Sequence, residues 1–257
     1  MKCKFLCIAA AAGLLLAGCG GGGAQRLADA AHVADSIVSV GRNANVEVNA
    51  EGTGLDATFR MDNQLIHVDA IGKELFEAYA SQQLKMYPAT AITSVCRAMQ
   101  ESKGELRVEI VNSGLQQHKT FTLSGRRVLD LQRANMSELN PSAVREQVVK
   151  LAELMVPGGK ANDGCARVET SVDKGFLEYN IVWPEAKAFE GNDQGLLTAR
   201  YMKALRDDFA ALGEDGDAYV EFMKKLGIDG VRIAYTAEDS DASIRQAFPW
   251  REIMKAE

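Results

Sequence analysis

Side chains able to carry covalent or acid–base chemistry are few in this chain and widely separated. The cysteines are Cys3, Cys7, Cys19, Cys96 and Cys165, and the histidines are His32, His67 and His118. A redox thiol pair needs C-x-x-C spacing, and a helical zinc site needs two histidines at i, i+4. Neither spacing occurs, so each histidine reads as a surface or edge residue. No G-x-S-x-G turn offers a serine nucleophile. In "GEDGDAYVE", residues 213–221, Asp215, Asp217 and Glu221 suggest oxygen donors for calcium, but Tyr219 stands where a further donor belongs. Asp217 reads more simply as the cap of a helix beginning at Ala218. The sequence nominates no catalytic residue, no metal and no cofactor.

Cys19 has the most specific surroundings. Lys2 and Lys4 precede an apolar run from Phe5 to Ala17, the layout of a secretory signal. The run is too short to span a bilayer comfortably as a helix. "LAGC", Leu16 to Cys19, is similar to the lipobox of bacterial lipoproteins, a resemblance confined to residues 1–19. It implies cleavage before Cys19, a thioether-linked diacylglycerol on that sulfur and an acylated amine. Two or more acyl chains make a stable membrane anchor. Gly20 follows, where an aspartate would retain an enterobacterial lipoprotein at the inner membrane. The resemblance thus implies a bacterial cell envelope, with attachment to the outer membrane facing the periplasm. "GGGGAQ", residues 20–25, reads as a flexible spacer.

Processing simplifies the rest. Cys3 and Cys7 leave with the signal, and Cys96 and Cys165 remain in a compartment where disulfides persist. A disulfide between the two is the expectation there; the competing reading is that Cys96, on an apolar helical stripe, is a buried core thiol. Loss of Lys2 and Lys4 leaves 27 basic against 35 acidic residues, a balance near −8. With no sustained basic stripe, nucleic acid is an unsuitable partner.

The elements that must position these residues look repeated. Leu55, Ala57, Phe59 and Met61 alternate with polar residues, and Leu177, Tyr179, Ile181 and Trp183 do the same 122 residues on. Hairpin turns are expected at "NAEGTG" and "SVDKG". Phe76, Ala80, Leu84 and Tyr87 form a helical stripe, matched by Tyr201, Leu205, Phe209 and Leu212 at a displacement of 125. Ile92, Val95, Cys96 and Met99 form a second stripe, matched by Tyr219, Phe222, Met223 and Leu226 at 127. Strands at 106–110 and 231–235 follow, with Arg107 over Arg232, and then further strands at 118–128 and 243–253. The first half has an extra strand-like segment, "QLIHVD". Between the halves, Asn140 and Pro141 start a helix with Val144, Val148, Leu151 and Met155 on one face.

The expected fold is α+β: two tandem β-β-α-α-β-β units, each an antiparallel sheet packed on helices, joined by a linker helix. The boundaries are 1–18 for the signal peptide and 19–44 for a lipid-anchored spacer with a short helix. The first unit spans 45–133, the linker helix and loop 134–164, and the second unit 165–257. "AFPWREI" offers Phe248 and Trp250 either as core or as an aromatic contact patch, and Trp183 and Tyr179 are further candidates for a contact surface or pocket lining. The expected function is a non-catalytic, membrane-anchored module that binds another envelope protein. A small-molecule or glycan-binding lipoprotein is the alternative, and an envelope hydrolase a more distant one.

Overall fold

Alternating apolar residues build two four-stranded sheets, one in each half of the chain. The computed structural model describes residues 23–40, 46–62, 64, 66–157, 162–189, 194–211 and 215–255; the signal segment 1–18 and Cys19 lie outside them. Packing divides the chain into two units at the Leu139–Asn140 bond. The first comprises helix α1 (Gly23–Val40), strands β1 (Val46–Glu51) and β2 (Gly54–Met61), helices α2 (Lys73–Leu84) and α3 (Ala89–Glu101), strands β3 (Glu105–Asn112) and β4 (Gln117–Ser124), and helix α4 (Gly125–Arg133). The second repeats that order: α5 (Pro141–Glu153), β5 (Arg167–Asp173), β6 (Phe176–Trp183), α6 (Gln194–Ala211), α7 (Asp215–Lys225), β7 (Gly230–Ala237), β8 (Ser243–Pro249) and α8 (Trp250–Ile253). The α+β fold in two similar units is as expected.

Each unit is one helix longer at both ends than its pattern suggested. The presumed linker helix, α5, packs within the second unit, burying Val144, Val148 and Ala152. Its start is as read: Asn140 accepts from the Ala143 amide at 3.4 Å, and Pro141 follows. α1 occupies the same place before β1 and buries Leu27, Ala30 and Ala31. The last strands stop early, β4 at Ser124 and β8 at Pro249, and both chains continue as helix. Val68–Ala70, in the expected extra strand, is a 3-10 turn. α7 begins at Asp215, so Asp217 lies in its first turn and does not cap it.

The sheets are mixed, not antiparallel throughout. β1 pairs with β2 and β3 with β4 as antiparallel neighbours, but the central pair β2–β3 is parallel. β6–β7 is parallel in the same way. The cause is the connection: α2 and α3 carry the chain back to the end where β2 began, which parallel pairing requires. Leu55 lies beside Leu106, and Leu177 beside Val231, so the sequence offsets of 122 and 125 are also the structural ones.

Turn chemistry fixes both outer hairpins. Gly52 takes φ +58° between β1 and β2; Lys174 at +45° and Gly175 at +79° make the two-residue turn between β5 and β6. Backbone crowding fixes other glycines. A Cβ on Gly54 would lie 2.3 Å from the Glu105 carbonyl oxygen, and one on Gly230 would lie 2.4 Å from that of Phe248.

The first core joins Leu55 and Leu123 of the sheet to Leu27, Ile92, Val95, Cys96, Met99, Val128 and Leu131 of the helices. α3 buries the stripe read from sequence. α2 is rotated from its expected stripe: Leu75, Ala78 and Ser81 are its buried line, while Phe76, Leu84 and Tyr87 flank it. Phe76 stacks on Phe121 with ring centroids 3.9 Å apart. Buried Glu77 ties α2 to α4 by accepting two hydrogen bonds from the Arg127 guanidinium, at 3.2 and 2.5 Å.

Candidate contact surface

Strand alternation gives the first sheet one helix-covered face and one open face. In the first unit the open face carries Glu47, Asn49 and Glu51 on β1, Asp56, Thr58 and Arg60 on β2, Arg107 and Glu109 on β3, and His118, Thr120 and Thr122 on β4. These side chains are exposed or half-buried, whereas Leu55, Ala57, Val108, Phe121 and Leu123 on the reverse face are buried. An apolar core side and a polar solvent side follow directly from the period of two.

The same charged group recurs at the centre of the matching face of the second sheet, where Glu178 is buried and Arg232 nearly so. One cross-strand row runs Asn49, Asp56, Arg107, Thr122 in the first sheet and Ser171, Glu178, Arg232, Ala247 in the second. The offsets that align the sheets also superpose Glu51 on Asp173. Two carboxylates and one arginine thus form a repeated triad across each parallel pair.

The two triads differ in closure. In the second unit Arg232 donates to both Asp173 and Glu178 at 2.8 Å and lies over the Phe176 ring, 4.8 Å from its centroid. Burial opposes the Arg232 charge, but the hydrogen bonds to Glu178 and Asp173 outweigh it and raise its pKa. In the first unit Arg107 lies 3.6 Å from Asp56. Glu51 shares a hydrogen bond with Asp56 and feels its charge, and both effects raise the Glu51 carboxyl above its ordinary range. A second polar chain extends the closed triad: Thr236 donates to Asn180 at 2.9 Å, Asn180 to Glu169 at 3.0 Å, and Arg167 bridges Glu169 and Glu238.

The aromatic candidates are core residues, not a contact surface. Phe248 is 0% exposed, Trp250 2%, Tyr179 5% and Trp183 9%. Pro249 ends β8 and Trp250 opens α8, with its backbone amide bonded to Asp229 and its indole Nε1 donating to the Ile228 carbonyl at 2.8 Å. Its ring packs on Phe209 and Tyr219, at 5.3 and 6.1 Å between centroids. Trp183 belongs to another cluster, edge-on to Tyr235 at 5.6 Å, with Phe189 and Tyr201 on the same Tyr235 ring. Tyr179 donates to the Met155 carbonyl at 3.4 Å. Behind Trp183 a donor chain runs from Arg200 to the Tyr235 hydroxyl, on to Tyr201 and finally to Asn162, at 2.8, 3.0 and 2.6 Å. Burial, then the Tyr235 hydrogen bond, push the Tyr201 hydroxyl far above its usual pKa, so it stays protonated.

The expected disulfide is not formed: Cys96 and Cys165 are free thiols. Cys96 is 0% exposed in the first core, between α3 and the start of α4, where a bridge would require that core to open. Met223 fills the matching place in the second core at equal burial. Desolvation pushes the Cys96 thiol up to about 11. A disulfide reagent should therefore label Cys165 promptly in the processed protein and reach Cys96 only after denaturant is added. Prompt labelling of both would contradict the burial.

The histidines lie on different elements, His32 on α1, His67 before the 3-10 turn and His118 on β4, and among the described residues no group of three His, Cys, Asp or Glu gathers as a metal site would. Two open hollows flank the first sheet. One, about 440 Å³, lies beside Asn112 and His118 at the β3–β4 hairpin; the other, about 490 Å³, lies between His32 and Asp35 of α1 and β1. In the latter, Asp35 accepts the outward Val48 amide at 3.0 Å, so α1 blocks strand addition at that point of the β1 edge. Comparison with models of known protein families, with characterised proteins and with solved structures finds no match to this chain.

Proposed function

We propose that this chain is a lipid-anchored envelope protein that binds another envelope protein without catalysis, through the open face of its first sheet. The observation that supports binding is the contrast between the matching triads: Arg107 and Asp56 stay accessible on the first sheet, whereas Arg232 and Glu178 are closed and largely buried on the second. The anchor rests on "LAGC", with Cys19 as the acylated residue.

The test is site-specific photocrosslinking in cells, with the photoreactive residue at Thr120 on the open face or at exposed Gln100 on α3. Thr120 is expected to capture one envelope protein at near-stoichiometric yield, and Gln100 to capture about tenfold less, as a fully desolvated contact differs from bulk surface. Cys19→Ala should move the protein from the membrane to the soluble fraction and remove the crosslink. Equal yields from both positions would rule out the sheet face. A Cys19→Ala protein that remains membrane-bound would rule out the anchor.

A further inference from the structure

The open face of the first sheet is short of positive charge. Register sets five carboxylates on it: Glu47 and Glu51 on β1, Asp56 on β2, and Glu105 and Glu109 on β3. Against them stand Arg60 and Arg107. Glu47, Glu51, Glu105 and both arginines are exposed, and Asp56 and Glu109 are half-buried. Lys103, exposed in the loop before β3, leaves the balance acidic even when it is counted. The chain as a whole carries 35 acidic against 29 basic residues, so the face is more one-sided than the chain that bears it.

At one place on that face the second sheet has a cation in position and the first does not. Arg232 donates to both Asp173 and Glu178 at 2.8 Å, so one guanidinium serves two carboxylates. In the first sheet Arg107 lies 3.6 Å from Asp56, and Glu51 turns to Asp56 for its hydrogen bond. Two adjacent carboxyls resist being ionised together. An ammonium or guanidinium group from outside, seated between them, would relieve that repulsion, and exposed Glu51 leaves the pair within reach. Arg232 demonstrates that this register holds such a group on both acids at once.

We propose that the protein partner presents a basic strip to this face, with one lysine or arginine seated between Glu51 and Asp56 and further cations over Glu47, Glu105 and Glu109. The proposal rests on the reading of the first open face as the binding surface, and adds the chemistry of what meets it. Complementary charge steers the encounter and fixes its register. Arg107 competes for Asp56 and so limits the partner's hold on the pair. The second sheet offers no equivalent seat, because Arg232 already fills it.

The test is in-cell photocrosslinking from Thr120 in the full chain, unaltered, with Glu51→Gln and Asp56→Asn together, or with Arg107→Gln. Loss of the two carboxylates is expected to lower capture about tenfold, and loss of Arg107 to raise it about twofold. A folding defect would lower both, so the opposite signs separate charge from structure. Mass spectrometry of the adduct should place Thr120 against a peptide rich in lysine or arginine. The purified full chain is then given hexalysine as the probe, which Thr120 should label about tenfold more than Gln100 does. Capture unchanged by Glu51→Gln with Asp56→Asn, or an adduct with an acidic peptide, overturns this proposal and leaves the sheet-face reading standing. Equal labelling of hexalysine from Thr120 and Gln100 overturns the proposal as well. Capture in cells no greater from Thr120 than from Gln100, in the unaltered chain, overturns the sheet-face reading and the proposal with it.

Discussion

Gly104→Ala is expected to open the first unit and leave the second folded. A Cβ at this position would sit 1.7 Å from the Thr53 carbonyl oxygen, 2.3 Å from its carbon and 2.7 Å from the Gly54 Cα. All three neighbours are backbone, so no side-chain rotation relieves the overlap. The β1–β2 turn must lift, which breaks the Ser102–Thr53 hydrogen bond and disturbs the close approach of Gly54 to Glu105. Overpacking of this kind costs about 3 kcal/mol or more, a large part of the stability of a small domain. Hydrogen exchange should show lost protection across β1–β4 and unchanged protection across β5–β8. Gly52→Asn is the control: Gly52 has φ +58° with nothing within 4 Å, and asparagine tolerates that backbone, so the change should stay within about 1 kcal/mol. A Gly104→Ala protein as stable as Gly52→Asn would mean that the turn does not press on β3.

Trp250→Ala should be the costliest single truncation in the second unit, about 3–5 kcal/mol, because it empties a site that is 2% exposed. Phe209 and Tyr219 would lose their shared partner, and the Ile228 carbonyl would lose the indole donor. Trp250→Phe separates the two contributions: it keeps most of the ring contact and should cost about 1–2 kcal/mol through the unpaired carbonyl. Urea titration followed by tyrosine and tryptophan fluorescence reads both. A Trp250→Ala protein with wild-type stability and lost partner binding would instead return this residue to the surface.

Which features were legible in the sequence follows from what a period reports. Period two identifies a strand and its buried side, and Leu55 through Met61 and Leu177 through Trp183 were readable on that basis. It is blind to direction, so the parallel β2–β3 and β6–β7 pairs could be inferred only from the long helical connection between them. Period 3.6 placed Ile92, Val95, Cys96 and Met99 correctly. It failed by a fraction of a turn at α2, where Leu75 is buried and Phe76 is half-buried against Phe121 of the sheet. Phe248 and Trp250 share a face as a strand would have them, yet Pro249 converts the second into the first residue of a helix. Pro249 carried that signal.

The triads were half visible. Arg107 and Arg232 align at a displacement of 125, but carboxylates near a turn look like ordinary solvated charge in the sequence. Only the register brings Glu51 and Asp56, or Asp173 and Glu178, to the same arginine. Likewise, α5 looked like a connector because its apolar stripe does not say which neighbour it meets.

The crowded glycines make the two halves poor donors of parts to one another. Grafting β6 into the place of β2 would set Phe176 where Gly54 must pass beneath the Glu105 carbonyl. Grafting β3 into the place of β7 would set Glu105 where Gly230 passes the Phe248 carbonyl. Either graft drives a side chain into backbone, whereas exchange of all four strands with their helices respects both crossings. The halves share an architecture and are interchangeable only as wholes.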